Sequence, residues 1–150
     1  MSRAVSTVVD ASMAVLLVSA AALALATVPG GTSQPPDPDA AARTVLASTA
    51  TTTYGPGDGS VASGRVATLA AHAAVAADRG TDSGFVRGVE TATEDVLAET
   101  GGRIEVLASA GGTTVRAGPR PPADASVASV SHEVGVRNTT ATVTVRTWSP

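Results

Sequence analysis

The first pattern along the chain is an uncharged apolar run near its N-terminus. Residues 11–28 (ASMAVLLVSAAALALATV) follow Arg3 and Asp10, and no basic residue follows them until position 43. A helix needs about 20 apolar residues to cross a bilayer core of about 30 Å, so the run predicts a transmembrane helix. We expect residues 1–10 in the cytoplasm and the rest of the chain outside, because the basic flank stays inside.

A cleaved secretory signal is the alternative interpretation of the same run. Ala24-Leu25-Ala26 has the small-residue spacing of a signal peptidase site. The run is longer than the roughly 15 apolar residues usual in a signal peptide. Retention as a membrane anchor is therefore the favoured interpretation.

Proline, glycine and threonine dominate the next part of the chain. Residues 29–42 contain Pro35, Pro36 and Pro38, which favour an extended linker. Residues 43–54 (RTVLASTATTTY) are rich in β-formers and predict a strand, and residues 55–60 (GPGDGS) predict a turn.

Two stretches then have the 3.6-residue period of helices. Residues 64–78 carry apolar positions on one side, and a second helix is expected from a cap at Asp82 or Ser83 to Glu99. Gly101-Gly102 would end this second helix. We expect Phe85 to pack it against a sheet.

From residue 103 the apolar period changes to two, which indicates strands. Residues 103–117 predict a hairpin around Gly111-Gly112, residues 118–125 a loop, and residues 126–137 and 141–148 two more strands. The sequence therefore predicts an α+β fold: an N-terminal transmembrane helix followed by a small extracytoplasmic domain, residues 43–150, with two helices and an antiparallel sheet.

The amino-acid composition excludes several kinds of site and partner. The chain has no Cys, which excludes disulfides and thiolate sites, and only three aromatic residues, so its core is thin. All ten basic residues are Arg, they are scattered, and the net charge is −3. We expect no nucleic-acid partner.

Candidate catalytic or metal-binding residues are few. His72 falls on the polar side of a helix and His132 alternates with valines in a strand, and neither has a companion at ligand or triad spacing. Glu90, Glu94, Asp95 and Glu99 lie at helical spacing and are interpreted as a solvated helix face. We predict no catalytic, cofactor or metal site, no small-molecule substrate and no enzyme activity.

One modification site is suggested by a short motif. Asn138-Thr139-Thr140 satisfies the N-glycosylation sequon, it contains the one Asn of the chain, and it falls between two predicted strands. Asn138 is therefore a candidate N-glycosylation site.

The N-terminal residues Arg3 to Val9 (RAVSTVV) resemble the start of haloarchaeal type IV pilins, and the overall plan resembles small haloarchaeal single-pass membrane proteins of unknown function. The pilin resemblance implies cleavage by a prepilin peptidase after Ala4, with Val5 as the mature N-terminus. It also implies an assembly contact for Asp10 with a neighbouring subunit's amino terminus. The sequence departs from that pattern at Thr7, where the family has Pro, and at Asp10, where it has Gly.

These observations predict a membrane-anchored extracytoplasmic structural or assembly protein. Its expected partners are membrane lipid and, if the resemblance holds, other pilin-like or secretion-system subunits. The alternative is a stand-alone anchored module that binds a partner at the cell surface, or a secreted protein with a cleaved signal. Processing after Ala4 separates these alternatives, since only assembly as a pilin requires it.

Overall fold

The computed structural model describes residues 37–56 and 59–149. The predicted transmembrane helix and the residues Ala4, Val5 and Asp10 lie outside this part. Among the described residues, no helix is both long and apolar enough to cross a membrane.

The described domain is α+β with antiparallel sheets. In chain order its elements are α1 (Pro38–Ala47), β1 (Thr49–Tyr54), β2 (Ser60–Arg65), α2 (Val66–Asp78), α3 (Ser83–Glu99), β3 (Ile104–Ala110), β4 (Thr113–Ala117), β5 (Val127–Val136) and β6 (Thr139–Trp148). Strands β1 and β2 form a two-stranded sheet, and the other four form a sheet in the order β4-β3-β6-β5. Neighbouring strands are antiparallel throughout, as predicted.

The start of the domain differs from the sequence prediction. Residues 38–42, predicted as linker, and residues 43–47, predicted as strand, form helix α1, and the strand begins only at Thr49. The Asp37 side chain accepts a hydrogen bond from the Asp39 amide at 3.1 Å, and Pro38 occupies the first turn, where its missing N–H costs nothing. Burial of Val45 and Leu46 on the inner side of this helix outweighs their β-propensity.

A second difference is strand β2. The sequence predicts Ser60 as the end of a turn and residues 64–65 as the start of a helix, but residues 60–65 form a strand that pairs with β1 along its whole length. Val61 is the one large apolar residue of β2 and is 66% exposed, so the strand has no buried apolar periodicity. Its pairing with β1 rests on backbone hydrogen bonds and on contacts such as that between the hydroxyls of Thr51 and Ser63, 2.8 Å apart.

Within the described residues, the other predicted helices and strands are confirmed. Helix α3 starts at Ser83, and the Asp82 side chain caps it by accepting a hydrogen bond from the Phe85 amide at 3.2 Å. Gly101 and Gly102 follow its end with positive φ, a backbone region that glycine enters without strain.

The main core lies between the helices and one face of the four-stranded sheet, which we call the inner face. Its side chains come from alternate strand residues, for example Val106, Val143 and Val145, each at most 2% exposed. Helix α2 contributes Val66, Ala70 and Ala73 to this core, all buried. Alanines allow close approach but bury little area each, so the core is compact and thin, as the composition predicts.

Phe85 is packed against the buried core, and it also joins helix α3 to the two-stranded sheet. It is half-buried, and its ring lies edge-on to that of Tyr54 at the end of β1, with centroids 5.0 Å apart and an interplanar angle of 64°. The hairpin β1–β2 therefore supplies its partner. Gly88 lets β1 approach the same helix, because a Cβ at this position would collide with Thr52.

Candidate functional site

The face of the four-stranded sheet opposite the helices, which we call the outer face, carries a buried acid. Glu105 on β3 is 0% exposed, although the other side chains on this face are exposed or half-buried. Ser and Thr are the commonest residues on this face, and two hydroxyl pairs, Ser109 with Thr114 and Ser131 with Thr144, are each 2.8 Å apart. Glu105 thus has a different environment from every neighbour on its face.

Two arginines from adjacent strands bury Glu105. Strand register places Arg146 of β6 directly opposite Glu105, and Arg116 of β4 opposite Leu107, one diagonal step away. Arg146 Nη1 donates to Glu105 Oε2 at 3.0 Å. Arg116 Nη1 forms an ion pair with Oε1. The result is an Arg-Glu-Arg array across three strands.

Arg120 adds a third guanidinium close enough to Arg116 for their charges to repel. The pKa of Arg116 lies below its ordinary value because burial removes water from the guanidinium, and because Arg120 and Arg146 repel its charge. Guanidinium groups stay charged at neutral pH even so. We call Arg116, Arg120 and Arg146 the arginine cluster; with one carboxylate among three guanidiniums, its local charge is about +2.

The arginine cluster has the chemistry of an anion-binding surface. The side chains of Arg116 and Arg146 remain 36% and 32% exposed while they hold Glu105. Each guanidinium has five N–H donors, more than one carboxylate can use, so donors remain for a carboxylate or phosphate from outside. Pairing with Glu105 also fixes the orientation of both arginines before any ligand arrives, which lowers the entropy cost of binding.

A second candidate site is an open cleft of about 360 Å³ at one end of the domain. Four parts of the fold meet there: the end of β1, the second half of α2, the start of α3 and the β5–β6 turn. The cleft combines an apolar wall with charged groups, and its lining includes Tyr54, Phe85, His72, Arg79, Asp82 and Arg137.

Backbone strain coincides with this cleft. Asp82 and Arg137 are the two non-glycine residues of the described part with positive φ, at 53° and 54°. Such conformations persist only where the surrounding structure enforces them, and they concentrate at functional sites. Arg79 is also held there, since its Nη2 donates to Thr139 Oγ1 at 3.4 Å. The cleft could accept a small anionic ligand with an apolar part.

The structure places the other residues considered from sequence as follows. His72 is exposed on α2 and lines the cleft, and His132 is exposed on β5, the strand at one edge of the sheet. Asn138 is exposed in the β5–β6 turn, where a sequon is accessible. Glu94, Asp95 and Glu99 are exposed on α3, as predicted for a solvated helix face, whereas Glu90 of the same predicted face is half-buried. No three His or acidic residues of the described ranges lie close enough together to hold a metal ion.

Sequence reasoning did not single out Glu105 or its arginines. One local feature pointed to them: Glu105 is the only acid in a strand that otherwise carries apolar residues and Ser109. The matching arginines stand in two other strands, 11 and 41 positions further along the chain. Only the strand register shows that all three share one face.

Comparison with known proteins adds a family but no activity. Searches against curated proteins and against solved structures give no match. The family match covers most of the chain, from residue 9 to residue 142. The protein thus belongs to DUF7284, a family of unknown function.

Proposed function

We propose that this protein is a membrane-anchored extracytoplasmic structural or assembly component, pilin-like in its N-terminal processing. The uncharged run 11–28, between Arg3 and an acidic linker, supports the anchor and its orientation. The pilin-like residues Arg3 to Val9 support the processing. In this proposal Ala4 and Val5 flank the cleavage site, and Asp10 contacts a neighbouring subunit.

The arginine cluster is the structural observation that carries the assembly role. It concentrates positive charge on an open sheet face of a protein whose net charge is negative. A charged, oriented patch on an otherwise hydroxyl-rich face selects partners by electrostatic complementarity, which is how subunit surfaces gain specificity. Glu105 keeps the patch rigid, so a partner meets a defined arrangement of donors.

The cleft favours a second candidate function. A stand-alone anchored module would use Arg79, Arg137 and the Tyr54–Phe85 pair to bind an anionic partner at the cell surface. This function needs the membrane anchor but no cleavage after Ala4. The two candidates therefore differ in the mature N-terminus.

Intact mass spectrometry of the full chain extracted from its native membranes tests the proposal. A mature chain that begins at Val5 is expected, and replacement of Arg3 or Ala4 should block its formation. As a matched control, Ser2→Ala should be processed normally, because it lies outside the cleavage junction. An unprocessed membrane-bound chain would favour the anchored binding module, and a soluble product starting near Thr27 would refute the anchor.

A further inference from the structure

The described domain carries a basic cluster on one side of the four-stranded sheet and an acidic stretch of α3 on the other, while Glu133 is exposed on the outer face and Arg87 on the N-terminal half of α3. The arginine cluster lies on the outer face of the four-stranded sheet. Helix α3 packs on the inner side, with Val89, Thr93 and Leu97 buried, and it exposes Glu94, Asp95 and Glu99. We call these three exposed acids the acidic face of α3. The sheet itself separates the two surfaces.

We propose that the arginine cluster of one copy binds the acidic face of α3 of a second copy, so that the chains associate head to tail. This inference rests on the proposed assembly function and specifies its contact. Because the two surfaces lie on opposite sides of the sheet, they cannot satisfy each other within one chain.

Charge decides the symmetry of this contact. A two-fold symmetric contact through the outer face would bring two arginine clusters together, and one through α3 would bring two acidic faces together. Like charges placed opposite each other are strongly unfavourable at an interface. Only a heterologous contact pairs opposite charges, and repetition of a heterologous contact produces a ring or an open filament.

The chemistry of the two surfaces also matches. Three guanidiniums face three carboxylates, and the pairing is charge-assisted hydrogen bonding of the kind that arginine forks favour. Pairs at the rim of an interface are individually weak and are screened by salt. Anchoring of the copies in one membrane raises their effective concentration, which compensates for a weak contact.

The absence of cysteine from the chain makes a clean cross-linking test available. Ala123 is exposed in the loop that carries Arg120, and Ala98 is exposed beside the acidic face of α3. The full chain is made as two variants, Ala123→Cys and Ala98→Cys, which are reconstituted together in vesicles of zwitterionic phospholipid and treated with a flexible bismaleimide. We expect a covalent dimer when the two variants are mixed and little dimer from either variant alone.

A matched control uses Ala47→Cys, which is exposed at the end of α1, away from both surfaces. Mixed with Ala123→Cys, it should give no dimer above background. Equal cross-linking of this control pair, dimers from one variant alone, or no dimer from the mixture would each overturn the proposal.

Charge reversal in the same cysteine variants identifies the groups responsible. Arg120→Glu in the Ala123→Cys chain, or Glu94→Arg with Asp95→Arg in the Ala98→Cys chain, should each lower the dimer yield about tenfold. Mixing the two reversed chains should leave the yield low, since Arg116 and Arg146 then lie opposite two new arginines. Arg43→Glu changes the net charge equally on α1 and should have no effect. Cross-linking that needs anionic lipid but not Glu94 and Asp95 would overturn the proposal in favour of a lipid headgroup as occupant.

The cross-linking result tests this contact, and the mass of the mature chain tests the proposed function, so either proposal can fail alone. A mature chain beginning at Val5 with no specific cross-link would preserve the assembly function and refute this contact. An unprocessed chain with the specific cross-link would refute pilin-like processing and leave the contact standing.

Discussion

Side chains along each strand of the four-stranded sheet point alternately to the inner and the outer face, and different interactions stabilise the two faces. On β6, Val143 and Val145 lie under the helices and are at most 1% exposed. Their neighbours Thr144 and Arg146 point to the outer face and are half-buried. The inner face gains its stability from removal of apolar surface from water, which is non-directional. The outer face gains it from hydroxyl pairs and from the ion pairs of Glu105, which depend on geometry.

This difference shows how each face responds to substitution. An apolar face tolerates changes that keep volume and fails when a polar group enters without a partner. A paired polar face tolerates loss of both partners together but fails when one charge is left behind. Matched substitutions at adjacent positions therefore test whether the two faces are as distinct as the structure indicates.

The largest effect is expected from a charge placed on the inner face. Val143→Asp buries a carboxylate with no partner and should cost about 4–5 kcal/mol or more, enough to remove most of the stability of a small domain. The matched change Thr144→Asp, one residue along β6 on the outer face, should cost less than about 1 kcal/mol. Urea unfolding of both full-length variants, followed by circular dichroism, measures the difference. Similar losses from both would contradict the assignment of the two faces.

A smaller effect is expected when Glu105 loses both arginines. Arg116→Met combined with Arg146→Met leaves a buried carboxylate unpaired and should cost about 3 kcal/mol, the lower end for broken buried ion pairs because both guanidiniums are about a third exposed. Adding Glu105→Leu removes the unpaired charge and should recover stability to within about 1 kcal/mol of the original chain. Urea unfolding of the three chains measures both steps. No recovery in the triple variant would mean that the arginines stabilise the sheet by packing and not through Glu105.

The smallest effects are expected from two single substitutions on β6, Val to Thr on the inner face and Thr to Val on the outer face. Val145→Thr buries a hydroxyl without a partner and should cost about 1–3 kcal/mol. Thr144→Val frees the Ser131 hydroxyl, which is exposed and can bind water, so stability should change by less than about 0.5 kcal/mol. Thermal unfolding of the two full-length variants under identical conditions ranks them. A larger loss for Thr144→Val would show that the hydroxyl pair carries more of the outer face than its exposure suggests.

Elements with a clear period were predictable from sequence alone. Helix α3 buries side chains at helical spacing, and Asp82 stands where a capping residue is expected. Helix α2 is rich in alanine and buries most of its circumference, but Thr68 and His72 mark its exposed side. The β3–β4 hairpin and strands β5 and β6 have a period of two with Gly111-Gly112 at a turn. These patterns follow from the geometry of one element burying one side, so local sequence is sufficient.

The elements that were missed lack such a pattern. Residues 43–47 have β-branched and Leu side chains, and packing of Val45 and Leu46 in the core extends through them the helix that the Asp37 cap and Pro38 begin. Strand β2 buries almost nothing and exists because β1 pairs with it. In both cases the deciding interaction is with residues of another element, and local propensity is too weak to determine the result.

By itself, the sequence determined which stretches form most of the helices and strands, the absence of thiol chemistry and the presence of an uncharged run ahead of the domain. Tertiary structure alone decided that Glu105, Arg116 and Arg146 form one array, and that Tyr54, His72, Arg79 and Arg137 line one cleft. The physical reason is the separation along the chain of the residues that interact. Helical and strand periods are properties of consecutive residues, whereas strand register is set when the whole sheet buries its inner face, and that register also fixes which charges meet on the outer face.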